Sequence, residues 1–216
     1  MREGLIKMIR LVIFDFDGTI VDTKAIYYNS IHNHLVSFGL SRKKIDEAID
    51  LGLNLGETLK RLVPSFFYKW WIRRKIMKDV LKEASRVKKC HDAGHINDVK
   101  IKKILVSNSL SDFVMPVVKH LKLGRYFSGI YCADKFNNKA DFIKLYLKLH
   151  GIRPNETFYV GDRVADVELA KKINIHSIII RGRCAWNSQK ELIKAKPEFI
   201  VPDLRDVKRI VERFRG

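Results

Sequence analysis

Residues 9–23 read Ile-Arg-Leu-Val-Ile-Phe-Asp-Phe-Asp-Gly-Thr-Ile-Val-Asp-Thr. An apolar run, broken only by Arg10, stops at Asp15, and Asp17 and Gly18 follow. A short apolar run without polar alternation predicts a strand buried on both faces. The aspartates and the glycine predict a loop at its carboxyl end.

Working outward from that strand, residues 20–89 carry a helical pattern. Apolar residues recur three and four apart, as in Ile45, Ile49 and Leu53, or Ile72, Ile76 and Val80. Punctuation there is light: Gly39, Gly52, Gly56 and Pro64. Beyond residue 99 the pattern changes to strand then helix. Strands are expected at 104–106, 129–132, 158–160, 177–180 and 199–201, and helices at 111–121, 139–150, 164–173 and 189–194. Such alternation implies a parallel sheet with helices on both faces. The expected architecture is α/β: a Rossmann-like three-layer core from residues 1–19 and 97–216, with an all-α cap domain inserted over 20–96. Residues 94–97, rich in Gly and Asn, read as the return linker.

Ligands of open parallel sheets bind beyond the carboxyl ends of the strands. The first strand ends in Asp15 and Asp17. The strand at 104–106 ends in Ser107 and Asn108. The strand at 158–160 ends in Gly161 and Asp162, with Asp166 one helical turn on. If these strands are neighbours, carboxylates converge on one cleft and need a counter-ion. A divalent cation bound by oxygen ligands, Mg²⁺ above all, meets that need, and Lys139 is the candidate positive side chain. The chemistry such a cleft can do is phosphoryl transfer. An aspartate attacks phosphorus, and a second carboxylate two residues on protonates the leaving oxygen and then activates water. Gly18 allows a close backbone turn around the phosphate, while Ser107 and Lys139 can bind its oxygens.

These residues resemble the haloacid dehalogenase superfamily. Asp15-Phe16-Asp17-Gly18-Thr19 matches its first motif, and Ile20-Val21-Asp22-Thr23 resembles the members with a helical cap, such as the phosphoglycolate phosphatase and β-phosphoglucomutase relatives. Ser107-Asn108, Lys139 and Gly161-Asp162-Arg163-Val164-Ala165-Asp166 resemble the second, third and fourth motifs. The resemblance implies that Asp15 is nucleophile and metal ligand. Asp17 is then general acid/base, with its carbonyl on the metal, and Asp162 is the third protein ligand. Gly18, Thr19, Ser107, Asn108 and Lys139 would hold the substrate, and Asp166 would orient its neighbours from behind. The implied activity is a Mg²⁺-dependent phosphatase for a small phosphorylated metabolite, acting through an aspartyl-phosphate. The alternatives are a phosphomutase on the same scaffold and a basic nucleic-acid-associated end phosphatase or binding module. The sequence departs from the family where Ala140, rather than Pro, follows Lys139.

Composition bounds the rest. Of 216 residues, 46% are hydrophobic, enough for a sizeable core. No uncharged apolar run reaches the about 18 residues that span a bilayer, so stable membrane insertion is not expected. Residues 1–10 lack a secretory apolar stretch, and a cytoplasmic monomer or homodimer is expected. Three dispersed cysteines, Cys90, Cys132 and Cys184, argue against a disulfide scaffold and fit a reducing compartment. Cys90, His91 and His95 are grouped but lack a fourth zinc ligand. The net charge of +18 attracts anions, nucleic acid included. Phe66, Phe67, Tyr68, Trp70 and Trp71, interleaved with Lys69, Arg73, Arg74 and Lys75, form a dense aromatic group. Packing within the cap is the simplest reading. A wall over the substrate, a partner surface, and contact with nucleic acid or anionic membrane are the others.

Overall fold

The computed structural model describes residues 8–50 and 55–214. Gly52 and Leu53 of the helical pattern lie outside the described residues, as does most of the amino-terminal stretch. The first strand, β1 (Leu11–Phe14), stands inside a six-stranded sheet. Its other strands are β4 (Lys102–Val106), β5 (Gly129–Tyr131), β6 (Thr157–Gly161), β7 (His176–Ile180) and β8 (Phe199–Val201). The order is β5-β4-β1-β6-β7-β8, and every pairing is parallel.

Alternation along β1 explains how one apolar run serves two layers. Leu11 and Ile13 face a cluster with Ile104, Val106, Tyr159, Ile143 and Leu147. Val12 and Phe14 face the other way, toward Leu105, Phe158, Val160, Phe113 and Ile210. Four residues buried on both faces contribute about 1.5–3 kcal/mol each. The helices after the sheet strands cover those faces: α5 (Ser111–His120), α6 (Lys139–Leu149), α7 (Val164–Lys172), α8 (Gln189–Lys194) and α9 (Leu204–Arg213). The last lies beyond the elements expected from sequence. Asp203 caps it, accepting the Arg205 N–H at 2.9 Å, and Leu204, Val207, Ile210 and Val211 form its buried stripe.

Between β1 and β4 the chain leaves the sheet. Among the described residues it passes through β2 (Val21–Asp22), four α-helices, a 3-10 turn at Ala84–Arg86 and β3 (Lys88–Lys89), where β2 and β3 pair antiparallel. A two-residue ribbon is too short to show a period of two, which is why it was invisible in the sequence. The helices are α1 (Lys24–Ser37), α2 (Arg42–Asp50), α3 (Leu55–Leu62) and α4 (Phe66–Lys82). α1 packs on α4 through Ile31, Leu35, Ile72 and Ile76, and Ser30 Oγ donates to the Ile76 carbonyl at 3.3 Å.

The structure adds to the sequence reading at three places. The return linker is ordered: residues 93–98 form a 3-10 helix against α9, and the Leu204 N–H donates to Asp92. Cys90 and Cys184 are joined as a disulfide with 6.0 Å between Cα atoms, although their dispersal argued against a disulfide scaffold. Their separation of 94 residues hid a proximity that only the fold creates. The pairing also removes Cys90 from a zinc set, while His95 pairs with Asp98 at 2.9 Å. Finally, the aromatic group is not buried inside the helical insert: Phe66, Phe67, Tyr68, Trp70 and Trp71 are all exposed, and Tyr68 meets Phe38 of the insert at 5.1 Å between ring centres.

Candidate active site

Register brings the polar loop residues together. Phe14 stands opposite Leu105 on one side and Val160 on the other. The residues just past these pairs therefore share one end of the sheet. The Asp15 N–H donates to the Val160 carbonyl at 2.8 Å, which extends β1 by one step and fixes the carboxylate beside β6.

At that end, carboxylate oxygens of Asp15, Asp162 and Asp166 all lie within 4.8 Å of one another, and all three residues are buried. Each is held separately. Lys139, the first residue of α6, places Nζ 2.5 Å from Asp15 Oδ1, and the Tyr159 hydroxyl lies 3.5 Å from the same oxygen. Asn138 caps α6 by accepting the Ala140 and Asp141 N–H groups, so a stable helix start exists without the family's proline. Asp162 accepts from Thr19 Oγ1 at 2.9 Å and from the Trp186 N–H at 2.7 Å. Asp166 folds back over the start of α7, accepting the N–H groups of Asp162 at 3.1 Å and Arg163 at 2.9 Å. Two glycines make room for this. A Cβ on Gly161 would collide with the Asp166 carboxylate, and one on Gly18, at φ +80°, with Asp162 and the Trp186 ring.

Asp17 points elsewhere. Its carboxylate accepts from Thr23 Oγ1 at 2.8 Å and Ser109 Oγ at 2.6 Å, and the Tyr27 hydroxyl shares Ser109 Oγ at 3.2 Å. Burial, with a smaller push from the Asp15 charge, raises its pKa to about 6, against the pull of Ser109, Thr23 and Arg163. Burial, then the neighbouring carboxylates, pushes Asp162 well above the usual carboxylate range. Burial and Asp15 raise Asp166 as well, while Lys139 and Arg163 oppose that rise.

The residues expected from sequence therefore divide into groups. Asp15, Asp162 and Asp166 converge, with Lys139 on Asp15. Asp17 is adjacent but is turned to Ser109 and Thr23. Thr19 braces Asp162 rather than facing the cleft. The Gly18 N–H is taken by the Val21 carbonyl at 2.9 Å. Ser107 is wholly buried, its Oγ accepting the Ser109 N–H at 3.0 Å, whereas Asn108 and Ser109 line the opening. Ser109, Tyr27 and Trp186 were not singled out in the sequence. Ser109 was within reach, two residues past Ser107 in the same loop; Tyr27 and Trp186 carry no local signal.

The cleft above this cluster encloses about 820 Å³. Its upper wall belongs to the helical insert, including Thr58, Arg73 and Met77; its lower wall holds Asp15, Asp17 and Lys139. Trp186 closes one side, its ring 5.6 Å from Tyr27 and 4.8 Å from the Arg163 guanidinium. Three buried carboxylates face one lysine, and burial resists the ionisation of Asp162 and Asp166. A hard cation relieves that conflict, and an all-oxygen donor set fits Mg²⁺. The cluster provides carboxylates to bind such an ion, and Asp17, set to one side, can carry a proton.

Comparison with known proteins gives the family. The profile of the haloacid dehalogenase-like hydrolases matches residues 12–180. Phosphoglycolate phosphatase 1 of Pseudomonas aeruginosa is 25% identical, with 92% of this chain aligned to 78% of that protein. Pyrophosphatase PpaX of Listeria innocua is 24% identical, over 94% of this chain and 96% of its own length. Among solved structures, a haloacid dehalogenase-like hydrolase of Streptococcus pneumoniae superposes with a TM-score of 0.80, at 18% identity, covering 94% of this chain and 98% of the other. With its parallel sheet, its clustered aspartates and a family match over most of its length, this chain belongs to the haloacid dehalogenase-like hydrolases, alongside the phosphoglycolate phosphatase-like members.

Proposed function

We propose that the protein is a Mg²⁺-dependent phosphatase that hydrolyses a small phosphomonoester through an aspartyl-phosphate on Asp15. The observation that carries this reading is the buried triangle of Asp15, Asp162 and Asp166 oxygens with Lys139 on Asp15. Asp15, Asp162 and the Asp17 carbonyl would hold the cation, with Asp166 beside them. When bound, it supplies positive charge that neutralises carboxylates and phosphoryl oxygens together.

The chain's own residues account for the steps. Lys139 orients the Asp15 carboxylate, which attacks phosphorus while the bond to the leaving oxygen breaks. Asp17, protonated at the outset, gives its proton to that oxygen. The resulting Asp17 carboxylate then takes a proton from water, whose oxygen attacks phosphorus. The bond to Asp15 breaks, and free phosphate and the original carboxylate are restored. Asn108 and Ser109 line the opening, where they can meet the phosphoryl group.

The helical insert serves as the cap in this reading. We take it to span residues 23–87, within the 20–96 expected from the sequence pattern. The β2–β3 ribbon and the 93–98 turn are tied to the core by the Cys90 N–H on the Ile20 carbonyl at 2.9 Å, the disulfide and Asp92. Closing this insert would exclude water and let Arg73 and Thr58 select the substrate. The names of the relatives make phosphoglycolate the first compound to try, with pyrophosphate second. The test is release of inorganic phosphate from a panel of phosphorylated metabolites, with Mg²⁺ and with chelator. Turnover should require the ion and vanish in Asp15→Asn; phosphate release by Asp15→Asn at the wild-type rate rejects the nucleophile.

A further inference from the structure

The outer face of α4 is aromatic and cationic, and among the described residues nothing buries its rings. Ile72, Ile76 and Val80 turn inward. At 3.6 residues per turn, positions 67, 70, 71, 74 and 78 fall on the opposite side. Phe66 is 83% exposed and Phe67 64%, and Trp70 and Trp71 are each near half. Burying so much ring surface is favourable, so its exposure at one end of one helix indicates a partner. α4 carries six Lys or Arg residues and one acid, Asp79, which is held by His34 at 2.7 Å and Lys82 at 3.3 Å. Rings and cations are adjacent: the Arg74 guanidinium lies 5.0 Å from the Trp70 ring centre and Lys75 Nζ 5.2 Å from that of Trp71.

We propose that this face docks on an anionic lipid surface, with the rings among the headgroups and the cations on lipid phosphates and carboxylates. Two zones along the helix fit such a surface: rings in the first turns, cations in the turns that follow. The net charge of +18 favours the approach at long range. A second copy of the chain is a poor occupant, because a twofold contact would set this cationic face against itself. Single-stranded nucleic acid calls for rings spaced to stack successive bases along a groove. Here the rings pack on one another over a convex helix, with centres 5.9 Å apart for Phe67–Tyr68 and 6.4 Å for Phe67–Trp70. Among the described residues no helix is long and apolar enough to cross a membrane, so the contact is interfacial. The proposal does not depend on the phosphatase reading.

The experiment is co-sedimentation of the full chain with vesicles of equal parts phosphatidylcholine and phosphatidylserine, and with vesicles of phosphatidylcholine alone. Sedimentation with the first, weakened by salt and nearly absent with the second, is the expected result. Trp70→Ala with Trp71→Ala should abolish it. Arg74→Glu with Lys78→Glu, surface changes that spare the core, should weaken it by at least the roughly fivefold expected per cation removed. Both variants are checked by circular dichroism. Failure to sediment with the anionic vesicles, equal sedimentation with neutral ones, or unchanged binding by the charge-reversed variant overturns the proposal. So does a dimer in solution that both variants dissolve, or an oligonucleotide bound more tightly than the vesicles through the same residues.

Discussion

The Ser109 hydroxyl donates to the Asp17 carboxylate over 2.6 Å, and this bond, with that from Thr23, keeps Asp17 turned from the three clustered aspartates. Two carboxylates two residues apart thus occupy different environments and can take different roles. One side is braced by the loop after β4, the other by the residue that opens α1. The Tyr27 hydroxyl on Ser109 adds a link from the helical insert to the same carboxylate.

Ser109→Ala removes a hydrogen bond to a charged group, worth about 1.5–3 kcal/mol. The rate of hydrolysis of an alkyl phosphomonoester should fall at least tenfold. p-Nitrophenyl phosphate, whose leaving group needs no proton, should lose much less. Steady-state comparison of the two substrates measures the difference, and equal losses would remove Ser109 from the proton-transfer step.

Asp17, with a pKa of about 6, is protonated below that pH and ionised above it. Its role as the initial acid is therefore fully available under mildly acidic conditions and is lost as pH rises. Phosphoenzyme formation from an alkyl ester, followed by rapid quench, should decline above pH 6, and Asp17→Asn should flatten the profile. In Ser109→Ala the limb should move to higher pH, because Ser109 holds the carboxyl down.

Stability of the metal-free protein should fall as pH rises. A carboxyl raised from 3.8 to about 6 keeps its proton in the folded state after the unfolded chain has lost it. Folding then binds protons, and stability drops between those values, by roughly 3 kcal/mol for one such group. Asp162 and Asp166 shift in the same direction. Thermal melts in chelator should show Tm higher at pH 5 than at pH 7.5, and Mg²⁺ should restore Tm at pH 7.5. Asp162→Asn should raise Tm in chelator and abolish the Mg²⁺ response.

The Cys90–Cys184 bond closes a loop of 94 residues that joins the return from the insert to the segment bearing Trp186. Its loss frees the unfolded chain and costs up to about 4.7 kcal/mol. Urea unfolding with and without reductant should show that drop in the wild type and none in Cys184→Ser. A reductant effect of equal size in both would mean that the bond is not the source.

Much of this protein was legible in order along the chain. Strand, acidic loop, helical block and strand–helix alternation are local patterns, because hydrophobic period and turn chemistry act over a few residues. They determined the α/β class, and they singled out Asp15, Asp17, Lys139, Asp162 and Asp166 as candidates. Tertiary structure alone decided which of these meet. The parallel register of β1 with β4 and β6 set Asp166 beside Asp15 and turned Asp17 to Ser109. Chain folding across 94 residues joined Cys90 to Cys184, and packing of α4 on α1 left its rings outside. Contacts between distant segments depend on how layers stack, and no short stretch of sequence encodes that distance.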